Sequence, residues 1–171
     1  MDLGLVILRV VFGLLMIGHG TQKLFGWFRG PGLHVASGFV ASRGFAPARF
    51  WTVTGSLSET AGGLLFVLGF LSPLGSIAIA AAMLTAIAGF HWPKFWVSEG
   101  GYEHALIMLT AAVAVGISGP GAYSVDAAFG TSLPPVATII LAALAAVGVL
   151  ISVVGAAGRR REVQAASQQA V

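Results

Sequence analysis

Ionisable side chains stand inside apolar stretches of this chain, at spacings that bring several of them together. The first apolar segment carries Arg9, His19 and Lys23, and the second carries Glu59. A charged group within lipid costs about 2.5–3.5 kcal/mol, so each of these residues needs a partner or a function. At 100° per residue, the three on the first segment share one helical face. We expect that face to point into a bundle of helices.

His19 and Glu59 are predicted to lie at the same depth in the membrane. Each stands eight residues from a tryptophan, Trp27 or Trp51, at the same end of its segment. At the rise of an α-helix, both lie about 12 Å from one membrane surface. The two side chains could therefore pair, with Lys23 one turn nearer water. A neighbouring His19 or Lys23 would keep the carboxylate ionised and ready to exchange protons.

Two further ionisable residues are expected at that end. His91 ends the third apolar segment, and Glu103 opens the fourth. We predict a polar pocket that could bind a cofactor, lined by His19, Lys23, Glu59, His91 and Glu103. Its candidates for catalysis are Glu59, His19 and Glu103.

Two other interpretations of this cluster stay open. A buried charge network that only holds the bundle together would use the same residue types. Histidines and carboxylates also bind metals, but no helix carries a paired HxxE, HxxxH or ExxH motif. No metal site is predicted.

Arg9 is expected at the opposite end of the first helix. It lies 14 residues before Lys23, or about 21 Å along the helix axis. Apart from the N-terminal segment, the only acidic residue in the loops predicted at that end is Asp126. We predict a structural pair, Arg9–Asp126, that ties this loop to the first helix.

Composition sets the class of protein that must position these residues. Of the 171 residues, 57% are hydrophobic and only 9% are charged, against roughly 25% charged in a soluble domain. An integral membrane protein is predicted, and it is helical because isolated strands leave their backbone unsatisfied in lipid. The absence of cysteine excludes disulfides, thiolate catalysis and iron–sulfur clusters within the chain. The formal net charge is +3. Most of the lysines and arginines lie outside the apolar spans, so they indicate orientation in the membrane rather than nucleic-acid binding.

Five apolar segments are predicted to be membrane helices. They cover about residues 3–27, 51–70, 74–92, 102–118 and 135–155. The predicted fold is an all-α membrane protein, with four helices in residues 1–130, an interfacial segment at 31–46, an additional transmembrane helix at 135–156 and a basic, disordered tail at 157–171. No internal repeat is visible.

The basic residues of the loops predict the orientation. With five spans, the arginines and lysines after the first, third and fifth helices fall on one side, together with all four tryptophans. By the positive-inside rule that side is cytoplasmic. The N-terminus is expected outside and the C-terminus in the cytoplasm of a cell whose inner, or cytoplasmic, membrane holds the protein.

Four motifs, in order, resemble the DoxX family of membrane proteins. They are Leu8-Arg9-Val10 with the run from His19 to Gly26, Glu59 with Gly62-Gly63, Gly100-Gly101-Tyr102-Glu103, and the run from Gly119 to Asp126. The resemblance covers about residues 3–130. It implies a four-helix bundle related to the small subunit of thiosulfate:quinone oxidoreductases, in a bacterial membrane. Some actinobacterial members are linked to superoxide dismutase and a sulfurtransferase, which are therefore expected partners. The fifth span and the basic tail depart from the four-helix pattern.

Three functions are compatible with these features. The first is a redox-linked, quinone-interacting component of a membrane oxidoreductase complex, which depends on a partner rather than being catalytic alone. In it, Lys23 or His19 would donate to a quinone carbonyl, and Glu59 or Glu103 would exchange protons. The alternative is a non-catalytic accessory or scaffold subunit, whose Ala- and Gly-rich faces pack against another membrane protein or a second copy. A small transporter or channel ranks last, because no repeat is present.

Overall fold

The computed structural model describes residues 2–169. This part of the chain forms seven α-helices joined by turns and short connections. They are α1 (Asp2–Phe25), α2 (Gly32–Ser42), α3 (Ala48–Leu68), α4 (Leu74–Ala86), α5 (Glu103–Ser118), α6 (Val125–Phe129) and α7 (Pro135–Gln169). A π-helical turn, Ile87–His91, extends α4, and 3₁₀ turns occupy Trp27–Arg29 and Val97–Glu99. No strand occurs within the described residues, so the predicted all-α class is confirmed.

Glycines bring α1 and α3 into close contact. A Cβ atom at Gly13 would lie 2.8 Å from the Gly63 carbonyl oxygen, and one at Gly20 would lie 2.5 Å from that of Ser56. Only residues without a side chain let two helix backbones approach this closely. Gly62 faces the other neighbour, because a Cβ there would lie 2.8 Å from Ala78 of α4.

The apolar core lies between α1, α3, α4 and α5. Its fully buried members include Met16, Phe66, Ile79, Met108 and Val115. The short turn after Leu68 makes α3 and α4 adjacent helices of opposite direction. On its remaining sides α4 packs against α5 and α7.

Three helices are long and apolar enough to cross a membrane. These are α1, α4 together with its π-helical turn, and α7. The apolar helix α5 has only 16 residues, and α3 carries several hydroxyl residues besides Glu59. The chain is a multi-pass membrane protein, while the arrangement of four spans plus one stays a prediction.

Helix α7 corrects one expectation about the C-terminus. A disordered tail was predicted at 157–171, yet α7 continues without a break to Gln169; residues 170–171 lie outside the described part. Ala, Arg, Glu and Gln are good helix formers, and extending an existing helix needs no new nucleation. At 35 residues, α7 is about 52 Å long, so its polar end extends beyond a hydrocarbon layer of about 30 Å.

The predicted interfacial segment, 31–46, contains a helix, α2. It ends at Ser42, just before Gly44, whose φ of +80° suits a residue without a side chain. α2 packs against α1 and α3. Its position at the membrane surface stays a prediction.

Candidate functional site

The C-terminal half of α1 and the N-terminal half of α3 form one end of the bundle, here called the tryptophan end because Trp27, Trp51, Trp92 and Trp96 lie there. Helix α7 also reaches it. Its Arg159 donates to the carbonyl oxygens of Gly44 and Ala46, at 2.8 and 3.2 Å. The opposite end, here called the Arg9 end, holds the connections after α3 and α5.

An ion pair between Lys23 and Glu59 joins α1 to α3 at the tryptophan end. The Lys23 Nζ atom lies 2.6 Å from Glu59 Oε1 and 2.7 Å from Oε2. The carboxylate is buried, whereas 38% of the Lys23 side chain is exposed. Both carboxylate oxygens therefore accept charge-assisted hydrogen bonds, the strong kind.

This pair replaces the predicted contact between His19 and Glu59. Lys23 lies one helical turn beyond His19 on α1, and its longer side chain reaches the carboxylate. Its ammonium also offers three donors, where a neutral imidazole offers one. The more flexible and more strongly charged group therefore takes both oxygens.

His19 contacts a residue that the sequence analysis did not include in the site, His104 of α5. Their Nε2 atoms lie 3.1 Å apart, and the two rings meet edge to face at a centroid distance of 5.1 Å. His19 is half-buried and His104 is exposed. The sequence signal for His104 was its position next to Glu103. Both residues open α5, which begins at the end of the bundle where α1 terminates.

His91 and Glu103 stabilise the connection between α4 and α5 rather than joining the ion pair. The His91 Nδ1 atom lies 2.8 Å from the Gly100 carbonyl oxygen. Glu103 Oε2 accepts a hydrogen bond of 3.1 Å from the Val97 backbone N–H. The structure therefore distributes the five predicted residues over four separate contacts.

A cavity of about 760 Å³ lies between α2, α3, α4 and α7. Lys23 and Glu59 lie on its wall, as does His91. Apolar side chains and small residues make up most of the remaining wall, among them Val35, Phe39, Phe45, Ile77, Ala81, Phe90, Leu141, Ala145 and Val149. The space is therefore amphipathic, with an ion pair at one place on an apolar surface.

Hydroxyl groups of α3 add polarity to this wall. Thr52 and Ser56 share the helix face of Glu59, at spacings of four and three residues. The buried Ser56 Oγ has no hydrogen-bond partner within residues 2–169. A buried hydroxyl without a partner is costly and uncommon. The spacing of Thr52, Ser56 and Glu59 was the sequence signal for this polar face.

Metal ligation has little support from the geometry. Nowhere in the described residues do three His, Asp or Glu side chains come together as a metal centre requires.

At the Arg9 end, the buried guanidinium of Arg9 binds only backbone. Its Nε donates to Phe66 O at 3.0 Å and its Nη2 to Val67 O at 2.7 Å. Its Nη1 donates to Pro120 O and Tyr123 O at 2.5 and 3.0 Å. The first two acceptors lie in the last turn of α3, where carbonyls lack the usual helical partner; Phe66 O also accepts from the Gly69 N–H at 3.3 Å.

Asp126, the predicted partner of Arg9, binds elsewhere. It accepts hydrogen bonds from the backbone N–H groups of Leu71 and Ser72, at 2.9 and 2.7 Å, and from Thr131 Oγ1 at 2.9 Å. Both residues lie in the described part of the chain, and no ion pair joins them directly. The predicted direct contact is therefore absent: each charge binds backbone groups instead, while Asp126 still attracts Arg9 through its charge.

Comparison with known proteins yields one match. A protein-family model described as DoxX matches residues 4–92, the range that holds α1 to α4 with Arg9, Lys23 and Glu59. No curated protein and no solved structure matches the chain.

Proposed function

The chain belongs to the DoxX family, and from this premise we propose that it is a quinone-interacting component of a membrane oxidoreductase complex. The observation that carries the proposal is the Lys23–Glu59 ion pair on the wall of the 760 Å³ apolar cavity. A quinone has the matching chemistry, with two carbonyl oxygens on a ring and an apolar tail.

The residues of the cavity fit such a ligand. Two hydrogen bonds of the Lys23 ammonium go to Glu59, and its third N–H is available for a quinone carbonyl. The Ser56 hydroxyl, without a partner among the described residues, is a second candidate donor. The apolar wall suits the tail, and Glu59 is the carboxylate beside the ring that is able to hold a proton.

A bound quinone supplies reversible chemistry of two electrons and two protons. The chain has no cysteine, so the electrons come from a partner protein. Superoxide dismutase and a sulfurtransferase are the proposed partners, on the family resemblance alone. We place the protein in the inner membrane of a bacterial cell, with the tryptophan end facing the cytoplasm.

Filling the cavity tests the proposal. Gly148 of α7 lines the cavity, and a Cβ there would have no atom of residues 2–169 within 4 Å. Gly148→Leu puts a branched side chain into the space and also favours the helix. We expect less quinone in an organic extract of the purified variant than in one of the wild type.

The matched control is Ala146→Leu, two residues away on an exposed position of the same helix. It is expected to retain the wild-type amount of quinone. Equal quinone content in Gly148→Leu and the wild type would contradict the assignment of this cavity.

One observation favours the alternative, an accessory subunit without a ligand. Both oxygens of Glu59 are already bound by Lys23, as a purely structural ion pair requires. This alternative predicts wild-type protein free of quinone that co-purifies in fixed ratio with a larger enzyme.

Orientation is tested with single cysteines, since the native chain has none. His34 of α2 and Ala128 of α6 are exposed and lie at opposite ends. In intact cells an impermeant thiol reagent is expected to label Ala128→Cys and to spare His34→Cys. The reverse pattern would invert the proposed topology.

A further inference from the structure

We propose that His104 and His19 relay protons between water at the tryptophan end and the Lys23–Glu59 pair. This inference rests on the proposed function, because converting a quinone to a quinol consumes two protons along with two electrons. The electrons come from the partner protein, so the membrane chain itself has to supply the protons.

The outer part of the path is the contact between the two histidines. His104 is exposed on the first turn of α5, and its Nε2 atom lies 3.1 Å from that of half-buried His19. At this distance one ring donates an N–H to the other. An imidazole takes up a proton on one nitrogen and releases one from the other, which makes a pair of rings a conductor of protons.

The inner part of the path runs along α1. His19 and Lys23 are four residues apart, so their side chains are neighbours on one helix face, with about 5–6 Å between Cβ atoms. Lys23 in turn binds both oxygens of Glu59. The ionisable groups whose charges act on the His19 ring are Glu59 of α3, His104 of α5 and Lys23 of its own helix.

The proton balance of the path is simple. A proton from water enters on His104, and the proton on its Nε2 passes to His19 Nε2. The transfer from His19 to Glu59 runs through an intervening water, since Lys23 binds both carboxylate oxygens and no direct hydrogen bond joins His19 to Glu59 within the described residues. Glu59 would then hold the proton for a bound quinone. The buried carboxylate lies on the cavity wall, and its ion-pair partner Lys23 is partly exposed.

Protein-film voltammetry of the purified full-length chain with bound decyl-ubiquinone tests the relay. Removing a general acid or base typically costs about 10²-fold or more in rate, so His104→Ala and His19→Asn are each expected to slow proton-coupled reduction by about that factor. Imidazole in the buffer is expected to restore the rate of His104→Ala, since the vacated position is exposed. His34→Ala, which removes an exposed histidine of α2, is the control and should be unchanged.

The outcomes separate the two proposals. Absence of a quinone signal in the wild type would overturn the proposed function and, with it, the relay. A normal signal whose rate is unchanged in both histidine variants would overturn the relay alone. A slower rate that imidazole leaves unrestored in His104→Ala would assign the histidines a positioning role and would also overturn it.

Discussion

Two cations of this protein, at opposite ends of α1, are held in different ways. Arg9 is 3% exposed, and four backbone carbonyls bind its guanidinium. The cavity beside it has a volume of only about 10 Å³. Lys23 binds a single side chain, Glu59, and their cavity measures about 760 Å³. The hydrogen bonds of Arg9 all go to the backbone and stabilise the fold. Within the described residues, Lys23 retains a free N–H donor beside a cavity that is large enough for a ligand.

Substitution of Arg9 is expected to have the largest effect on stability. Arg9→Met removes the Arg9 donors from the carbonyls of Phe66 and Val67, of which only Phe66 keeps a backbone donor among the described residues, and it removes a cation that attracts buried Asp126. Each hydrogen bond to a charged group contributes about 1.5–3 kcal/mol, so the loss of all of them makes this the largest expected effect. Unfolding of the detergent-purified variant measures the loss of stability.

The matched control for Arg9→Met is Arg49→Met, which removes an exposed arginine at the tryptophan end. Its expected effect is below about 1 kcal/mol. Equal losses in the two variants would mean that the carbonyl contacts of Arg9 contribute nothing special.

Gly69 is expected to be the next most sensitive position at the Arg9 end. It has a φ of +59°, and a Cβ there would lie 2.7 Å from Arg9 Cζ and from Ser124 Cβ. Gly69→Ala combines backbone strain with a clash, and should cost about 1–3 kcal/mol. Gly4→Ala is the control, because no described atom lies within 4 Å of its Cβ; a melting temperature unchanged in Gly69→Ala would contradict the tight packing.

Glu59→Gln tests the other side of the comparison. It keeps the shape of the side chain but loses the charge that Lys23 binds, at a cost of about 1.5 kcal/mol for a hydrogen bond to a charged group. We expect a folded protein with a strongly reduced quinone content, measured by extraction next to thermal unfolding. Full quinone content with a lowered melting temperature would make the ion pair structural and favour the accessory subunit.

The smallest effect is expected at Arg159, where α7 is attached to the connection before α3. Its hydrogen bonds to Gly44 and Ala46 are exposed, so Arg159→Gln should cost less than about 1 kcal/mol. The same unfolding assay measures it. A loss as large as that of Arg9→Met would show that the exposed contacts of Arg159 stabilise the fold as much as the buried contacts of Arg9.

The sequence by itself determined the class of protein and the end of the bundle at which each ionisable residue lies. Hydropathy and the fixed rise of a helix are local properties, so they predicted the helical fold, the end at which Lys23, Glu59 and His91 lie, and the opposite position of Arg9. The family resemblance rested on motifs that span the same helices, and the match over residues 4–92 confirmed it. Even the missed order of α7 beyond residue 157 was readable from its helix-forming composition.

Only the tertiary structure decided which groups meet. Linear spacing leaves open how each helix is rotated about its axis and how far each side chain reaches. Glu59 binds Lys23 rather than His19 because the lysine side chain is longer and carries more donors. Arg9 binds backbone carbonyls rather than Asp126 because the nearby helix end exposes them. The His19–His104 contact and the cavity wall supplied by α7 depend on the packing of segments 85 and more than 100 residues apart, a distance over which no local pattern carries information.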